Sequence, residues 1–398
     1  MQFGSILRRG SRVFAIVSVG LSASAASAAG LTTLATFDST NGGYPFAGLI
    51  LSGNTLYGTT ELGGASDAGT VYSVPITGGT PTTLATFNIA NGSYPQAGLI
   101  LLGSTLYGTT YEGGANDDGT VFSLPITGGT PITLVTFNVA NGGHPNGLTL
   151  SGSMLYGTTS YGGVNNDGIV FSVPTASGTP NTLAAFDGTN GTYSQAGLIL
   201  AGNTLYGTTY QGGANGYGTV FSVPVAGGTP TTLASFDGIN GANPNAGLIL
   251  SGSILYGTTY EGGANDDGTV FSVPITGGTP TTLVTFDGSN GSDPVAGLTL
   301  SGSTLYGTTG GGGDLGYGTV FSVPVSGGYL TTLATFNNTN GLFPYAGLIL
   351  SGNTLYGTTY QGGPDGYGTV FSLALPEPGS LILLALGLPA LLRRHRVR

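Results

Sequence analysis

Short apolar runs, four to six residues long and rich in Thr, Val, Leu, Ile, Tyr and Phe, alternate along this chain with clusters of Gly, Asn, Asp and Pro. Residues 197–236 hold four of them: 197–200, 204–209, 219–224 and 231–236. Runs of this length and composition, bounded by turn residues, predict β-strands, named A to D here in order. They carry few polar interruptions, which fits sheets covered on both faces. A glycine inside strand B (Gly58, Gly207 and their equivalents) predicts close approach by another backbone or an aromatic ring. The Tyr of strand B and the Phe of strands C and D are then inter-sheet core.

The pattern repeats. Leu-Tyr-Gly-Thr-Thr occurs seven times, with tyrosines at Tyr57, Tyr107, Tyr156, Tyr206, Tyr256, Tyr306 and Tyr356. Five of the steps between them are 50 residues and one is 49. A strand-based period near 50 predicts a propeller or a solenoid. The ends decide between them. The first strand, 32–37, is a D strand with no A, B or C before it, whereas the last unit has A (347–350), B (354–359) and C (369–373) but no D. Complementary ends predict a closed ring, which removes the exposed edges of an open array. The expected fold is therefore all-β: a seven-bladed β-propeller of four-stranded blades over residues 31–373, closed by the N-terminal D strand. An open β-solenoid is the alternative.

Strand direction in such blades puts the B–C and D–A loops on one face and the short A–B and C–D turns on the other. That matters because charge is so unevenly placed. The seven basic residues are all arginines, at positions 8, 9, 12, 393, 394, 396 and 398, and 16 of the 17 acidic residues lie in the repeats. The body would carry a formal charge of −16, all of it in the long loops. A body without Lys or Arg does not bind nucleic acid phosphates. The chain has no cysteine, which excludes disulfides and thiol chemistry.

Three roles compete for the acidic face. The first is simple solubility, since net charge resists association. The second is cation binding: Asn116, Asp117 and Asp118, and again Asn265, Asp266 and Asp267, bring oxygen ligands together in the manner of a weak Ca²⁺ site, on the order of 10⁻⁴–10⁻³ M. No cofactor is required by this reading. The third is carbohydrate binding. Tyr111-Glu112, Tyr210-Gln211, Tyr260-Glu261 and Tyr360-Gln361 each set an aromatic plane beside a hydrogen-bonding side chain. Such a pair can stack on a sugar and bind its hydroxyls; the same tyrosines could equally cap blade ends. The Asx-x-x-Asn-Gly of the D–A loops reads as a turn. Enzymatic chemistry is not expected. Histidine occurs only at His144 and His395, no nucleophile motif is present, and the carboxylates are spread over the repeats.

Both ends carry signals. Residues 1–28 have a basic part (Arg8, Arg9, Arg12), an apolar core (Val13 to Leu21) and small residues at Ala26 and Ala28, the layout of a secretory signal peptide. At the other end, Pro376-Glu377-Pro378 precedes an apolar stretch (Leu381 to Leu392) and the arginine-rich tail. Those twelve apolar residues are short against the ~20 that span a bilayer. Residues 376–398 resemble the PEP-CTERM sorting signal. That resemblance implies an exosortase-type membrane enzyme as partner, cleavage near the motif, membrane contact only before processing, and display at the surface or in the matrix of a Gram-negative-type bacterium.

The repeat itself, with Ala-Gly-Leu-Ile, Leu-Tyr-Gly-Thr-Thr, Gly-Gly and Gly-Thr-Val-Phe in order, resembles the GloVer tandem-repeat family, whose members carry a choice of C-terminal anchors. The resemblance implies an extracellular repeat protein and brings no catalytic residues. Blade length and strand order are loosely similar to kelch propellers, but the chain has no tryptophan for the kelch strand D. The resulting expectation is a non-catalytic surface or matrix protein that binds exopolysaccharide. A polysaccharide-acting hydrolase or lyase and a purely structural coat protein are the alternatives.

Overall fold

The computed structural model describes residues 30–376. The signal-peptide reading of residues 1–28, and Glu377, Pro378 and all that follows them in the sorting reading, lie outside the described residues. Twenty-nine strands form seven antiparallel sheets, and among the described residues there is no helix. Every sheet contains four strands side by side in the order A-B-C-D, and one adds a short fifth strand, Gly143–Pro145, paired with the far end of its strand B, so the protein is a seven-bladed propeller. The fourth blade is representative: Ile199–Ala201, Thr204–Thr209, Thr219–Pro224 and Thr231–Ser235. Strand A starts two residues later than the apolar run predicts. Gly197 instead packs toward the propeller axis, where its Cα-borne hydrogen faces Gly147 of the neighbouring blade; a Cβ there would sit 3.4 Å from the Gly147 backbone. Six further glycines stand at this position, from Gly48 to Gly347, and small side chains are what so narrow a ring admits.

The ring closes as the ends of the sequence predict. Leu31–Thr36 pairs antiparallel with Thr369–Ala374, from Leu31 opposite Leu373 to Thr36 opposite Thr369. Phe37 N then donates to Gly368 O at 3.1 Å, just as Phe87 N does to Gly69 O at 2.9 Å within the first blade. The seam is built from the same bonds as the other blades.

The five residues of Leu-Tyr-Gly-Thr-Thr each do separate structural work. The leucines are fully buried. The tyrosines pack into the core between one blade and the next. The glycine makes room for the aromatic ring of strand C: a Cβ on Gly207 would lie 2.7 Å from Phe221 Cζ. That ring meets the Phe of the preceding blade's strand D edge to face, with centroids 5.0 Å apart for Phe186 and Phe221, the favoured geometry for aromatic pairs. The first threonine crosses to the next blade, as when Thr208 Oγ1 donates to Ala246 O at 3.1 Å. The second ties off the B–C loop: Thr209 Oγ1 bonds to Thr219 Oγ1 at 2.8 Å and to Gln211 O at 3.0 Å.

Strand D carries a β-bulge in every blade, and in five of them the bulged leucine's carbonyl accepts from a glycine of the next blade. Leu34 O accepts from Gly79 N, and Leu84 O from Gly129 N, both at 2.9 Å. The Gly-Gly of the C–D turn is there to make this contact; Gly79 has φ +141°.

Candidate binding face

The long loops do share one face, because B–C and D–A loops are bridged to each other around the ring. The residue three before each Ala-Gly sits at the centre of the bridging: Tyr44, Tyr94, Tyr193, Asn243, Asp293 and Phe343, with His144 at the matching place in the shortened unit. All seven have positive φ, between 53° and 59°. None is glycine, so each position carries backbone strain, on the order of 1–3 kcal/mol. Two hydrogen bonds hold each one. Asn243 N donates to Tyr217 O of the preceding blade at 2.8 Å, and Asn243 O accepts from Tyr260 N of its own blade at 3.1 Å. The residue after Leu-Tyr-Gly-Thr-Thr is thereby fixed at the rim of the central channel. It is Glu61, Tyr111, Ser160, Tyr210, Tyr260, Gly310 or Tyr360 around the ring.

The channel itself is a narrow cavity of about 260 Å³ lined by the seven Ala-Gly or Asn-Gly pairs. Its mouth on the loop face widens into a cleft of about 330 Å³ between Phe46, Gln195, Tyr210, Asn245, Tyr260, Val295 and Tyr345. Tyr210 and Tyr260 come from B–C loops. The other five come from the single position between Pro (or Ser194) and Ala-Gly, where the residue varies from repeat to repeat. Three rings close one end of the cleft: Phe46 and Tyr345 are 5.7 Å apart, Tyr345 and Tyr360 5.4 Å, and Phe46 and Tyr360 6.0 Å. Burial, then the charges of Tyr260 and Asp293, push the Tyr345 phenol up. Burial, then Glu61, does the same for Tyr360. These phenols stay neutral donors at any physiological pH.

Of the eight residues expected to bind sugar, Tyr210 and Tyr260 line the cleft and Tyr360 closes it. Tyr111 is on the other side of the channel, stacked on His144 at 3.9 Å. Tyr161 meets the same imidazole edge-on at 4.5 Å and donates its hydroxyl to Asp118. Burial lowers the His144 pKa against the opposing pull of Asp118 and Asp117. Glu112, Gln211, Glu261 and Gln361 do not line the cleft. Their backbones form the bridges to the D–A loops, as between Gln211 and Thr192, and in a two-residue bridge neighbouring side chains point opposite ways.

The six residues expected to hold a cation mostly serve the loop itself. Asn116 and Asn265 donate their amides to Phe137 O and Phe286 O, both at 2.9 Å. Asp117 and Asp266 have φ of 65° and 63° and accept from Gly113 N at 3.0 Å and Gly262 N at 2.9 Å. Asn166 fills the same place, and three other repeats have glycine there. Left-handed geometry, not ligation, is what unites Asp, Asn and Gly at that position. Asp118 accepts from Tyr161, while the like charge of Asp267 adds to the burial that raises the Asp293 pKa. Among the described residues no three or more His, Asp or Glu side chains converge as a metal site would require.

The repeat model described as the Gloeobacter/Verrucomicrobia repeat matches residues 22–221 and 151–371. The chain belongs to that family. In this repeat family member the two matched spans together reach from the first blade to the last. No curated protein matches the chain. Among solved structures, the WD40 β-propeller domain of Doa1 is similar at 11% identity and TM-score 0.55, over 86% of this chain and 97% of that one. The extracellular domain of a hybrid two component system from B. thetaiotaomicron is similar at 11% identity and TM-score 0.58, over 85% of this chain and 39% of that one. Likeness at this level is a likeness of fold.

Proposed function

We propose that this propeller is a non-catalytic extracellular binding protein that holds a polysaccharide across the mouth of its channel. The observation that carries the reading is the cleft: aromatic planes from Tyr210, Tyr260, Tyr345 and Phe46 stand around the carboxamides of Gln195 and Asn245. Aromatic faces stack on the apolar faces of pyranose rings, and carboxamides both donate to and accept from hydroxyls. Secretion through residues 1–28 and exosortase-type sorting at Pro376-Glu377-Pro378 complete the proposal. The last described strand ends on the short-turn face, so a C-terminal anchor would leave the cleft facing outward. Calcium has a secondary place, as a weak bridge between loop carboxylates and an anionic polymer.

The experiment is a binding screen of the purified protein against neutral, cationic and anionic polysaccharides, with and without calcium, with reducing-end release measured in parallel. Saturable binding that Tyr260→Ala weakens about tenfold or more, without turnover, is expected; losing one well-packed aromatic contact is worth on that order. Retention on no polymer in either buffer would sink the binding reading, and steady release of reducing ends would favour the hydrolase or lyase. N-terminal sequencing of the mature protein checks the secretion step, with a start just after Ala28 expected.

A further inference from the structure

The charge of the loop face stops short of its centre. None of the residues that line the cleft, or the channel below it, is charged. Two carboxylates belong to the residues that bridge the rim, and neither side chain lines the cleft. Glu61 Oε1 accepts from Gln96 Nε2 at 3.0 Å. Asp293 Oδ2 accepts from Ser292 Oγ at 3.1 Å and lies against Gly311, 3.0 Å from where a Cβ there would stand. No Lys or Arg exists between residues 13 and 392. An anionic polymer would meet a negative face and find no cation behind it. A cationic polymer would find no counter-charge inside the cleft.

The shape narrows the choice further. Phe46, Gln195, Asn245, Val295 and Tyr345 line both cavities, so cleft and channel mouth are one depression. The rings of Phe46, Tyr345 and Tyr360, 5.4 to 6.0 Å apart, wall off one end of it. Tyr345 reaches that place because Gly310 stands where four repeats have Tyr. A Cβ on Gly310 would lie 2.6 Å from Tyr345 Cε1. Past Tyr210, at the opposite end, the same position of the repeat is Ser160, too small to build a second wall. A groove walled at one end admits the end of a chain and not its interior. The carboxamides differ too. Gln96 is held by Glu61, whereas Gln195 and Asn245 bond to no side chain or backbone group among the described residues and are free for hydroxyls.

Building on the polysaccharide-binding reading, we propose that the ligand is an uncharged glycan held by its chain end: the last sugars rest against the wall of Phe46, Tyr345 and Tyr360, their hydroxyls meet Gln195 and Asn245, and the chain leaves past Tyr210 and Ser160. Any calcium bridge belongs to the loops outside the cleft.

The test is isothermal titration of the purified full chain with short and long linear glucans, mannans and galactans, and with uronic acid and free-amine glucosamine oligomers as charged probes. A neutral glycan is expected to bind about tenfold or more tighter than either charged probe. Added salt should leave its affinity unchanged, because screening acts on charges. The protein should bind once per chain at both lengths. Tyr345→Ala, with its thermal transition retained, should weaken binding about tenfold or more. Asp237→Asn, which removes one charge from the same face at a turn where Asn88 and Asn138 already stand, should leave it unchanged. Tighter binding of a charged probe, more copies of the protein on the long chain than on the short one, or an unaffected Tyr345→Ala variant overturns the proposal, while saccharide binding stands. If no saccharide binds, the proposal and the reading beneath it both fall.

Discussion

Tyr72 places a hydroxyl where every other blade has the bare ring of Phe. Its side chain is fully buried and its phenolic oxygen has no hydrogen-bond partner among the described residues; nor has Thr59 Oγ1 in the same blade. Burial pushes the Tyr72 phenol far above its usual range, so it is always a neutral, unsatisfied group. Leaving such a group unpaired costs on the order of 1–3 kcal/mol. Tyr72→Phe is therefore expected to stabilise the protein by roughly 1 kcal/mol in denaturant unfolding; a loss of stability would refute this account of the site. The carboxylates separate into two kinds. Asp38, Asp187 and Asp287 have lowered pKa values, first through the backbone N–H three residues on and then through a neighbouring hydroxyl. A lowered folded value means stability that is present above the ordinary 3.8 and is lost as pH falls through the folded values. Asp293 and Glu112, raised first by burial, have the opposite sign: protonation favours their folded state. Replacing the three turn aspartates together by Asn, which already makes the turn at Asn88, Asn138 and Asn337, should flatten the acid limb of a Tm-against-pH curve. An unchanged limb would show that the turns do not report on acid stability.

At the level of the blade, the constant residues and the varying ones have different jobs, which explains what the sequence could reveal. Leu-Tyr-Gly-Thr-Thr is legible because each of its residues answers a demand that recurs in every blade: a buried aliphatic, an inter-blade ring, a slot for Phe221 or its equivalent, a crossing hydrogen bond and a loop tie. Gly207→Ala should cost about 1–3 kcal/mol, because the new methyl group collides with Phe221. Gly202→Ala meets open space, and only its φ of +58° resists the change. Equal effects at both positions would contradict the slot assignment. The cleft was hidden for the opposite reason. Phe46, Gln195, Asn245, Val295 and Tyr345 share one position of the repeat but no single residue type, and a search for recurring motifs passes over such a position. Variation at one place inside a Pro-x-Ala-Gly that five of the seven copies keep was the available signal. The Asn-Asp-Asp clusters misdirected attention because Asp, Asn and Gly are interchangeable where φ is positive, and that interchange is visible only once the backbone is known. Asn146 had no such warning either. The one-residue deletion brings it to the alanine position, where its amide reaches Ser194 O at 2.6 Å and Thr158 Oγ1 at 3.2 Å.

For the molecule as a whole, one strand decides whether there is a ring. Removing residues 31–36 would expose the edge of Thr369–Ala374 and uncover Tyr72 and Val74, which pack beneath Ala35 and Phe37. Open edges of this kind pair with other chains. The truncated protein is expected to unfold in a broad, less cooperative transition and to form oligomers on size-exclusion chromatography. A monomer with an unchanged transition would mean that the seam contributes little. The same pairing sets an order on assembly. Thr33 stands opposite Phe371, so within the ring Leu31–Thr36 must wait, unpaired, until Thr369–Ala374 has been made. Blades in between can form from near neighbours as they are made, but their circle cannot be sealed co-translationally. On the secretion proposed above, that delay would leave the ring open through translocation, since the locking partner is made after every other strand of the ring.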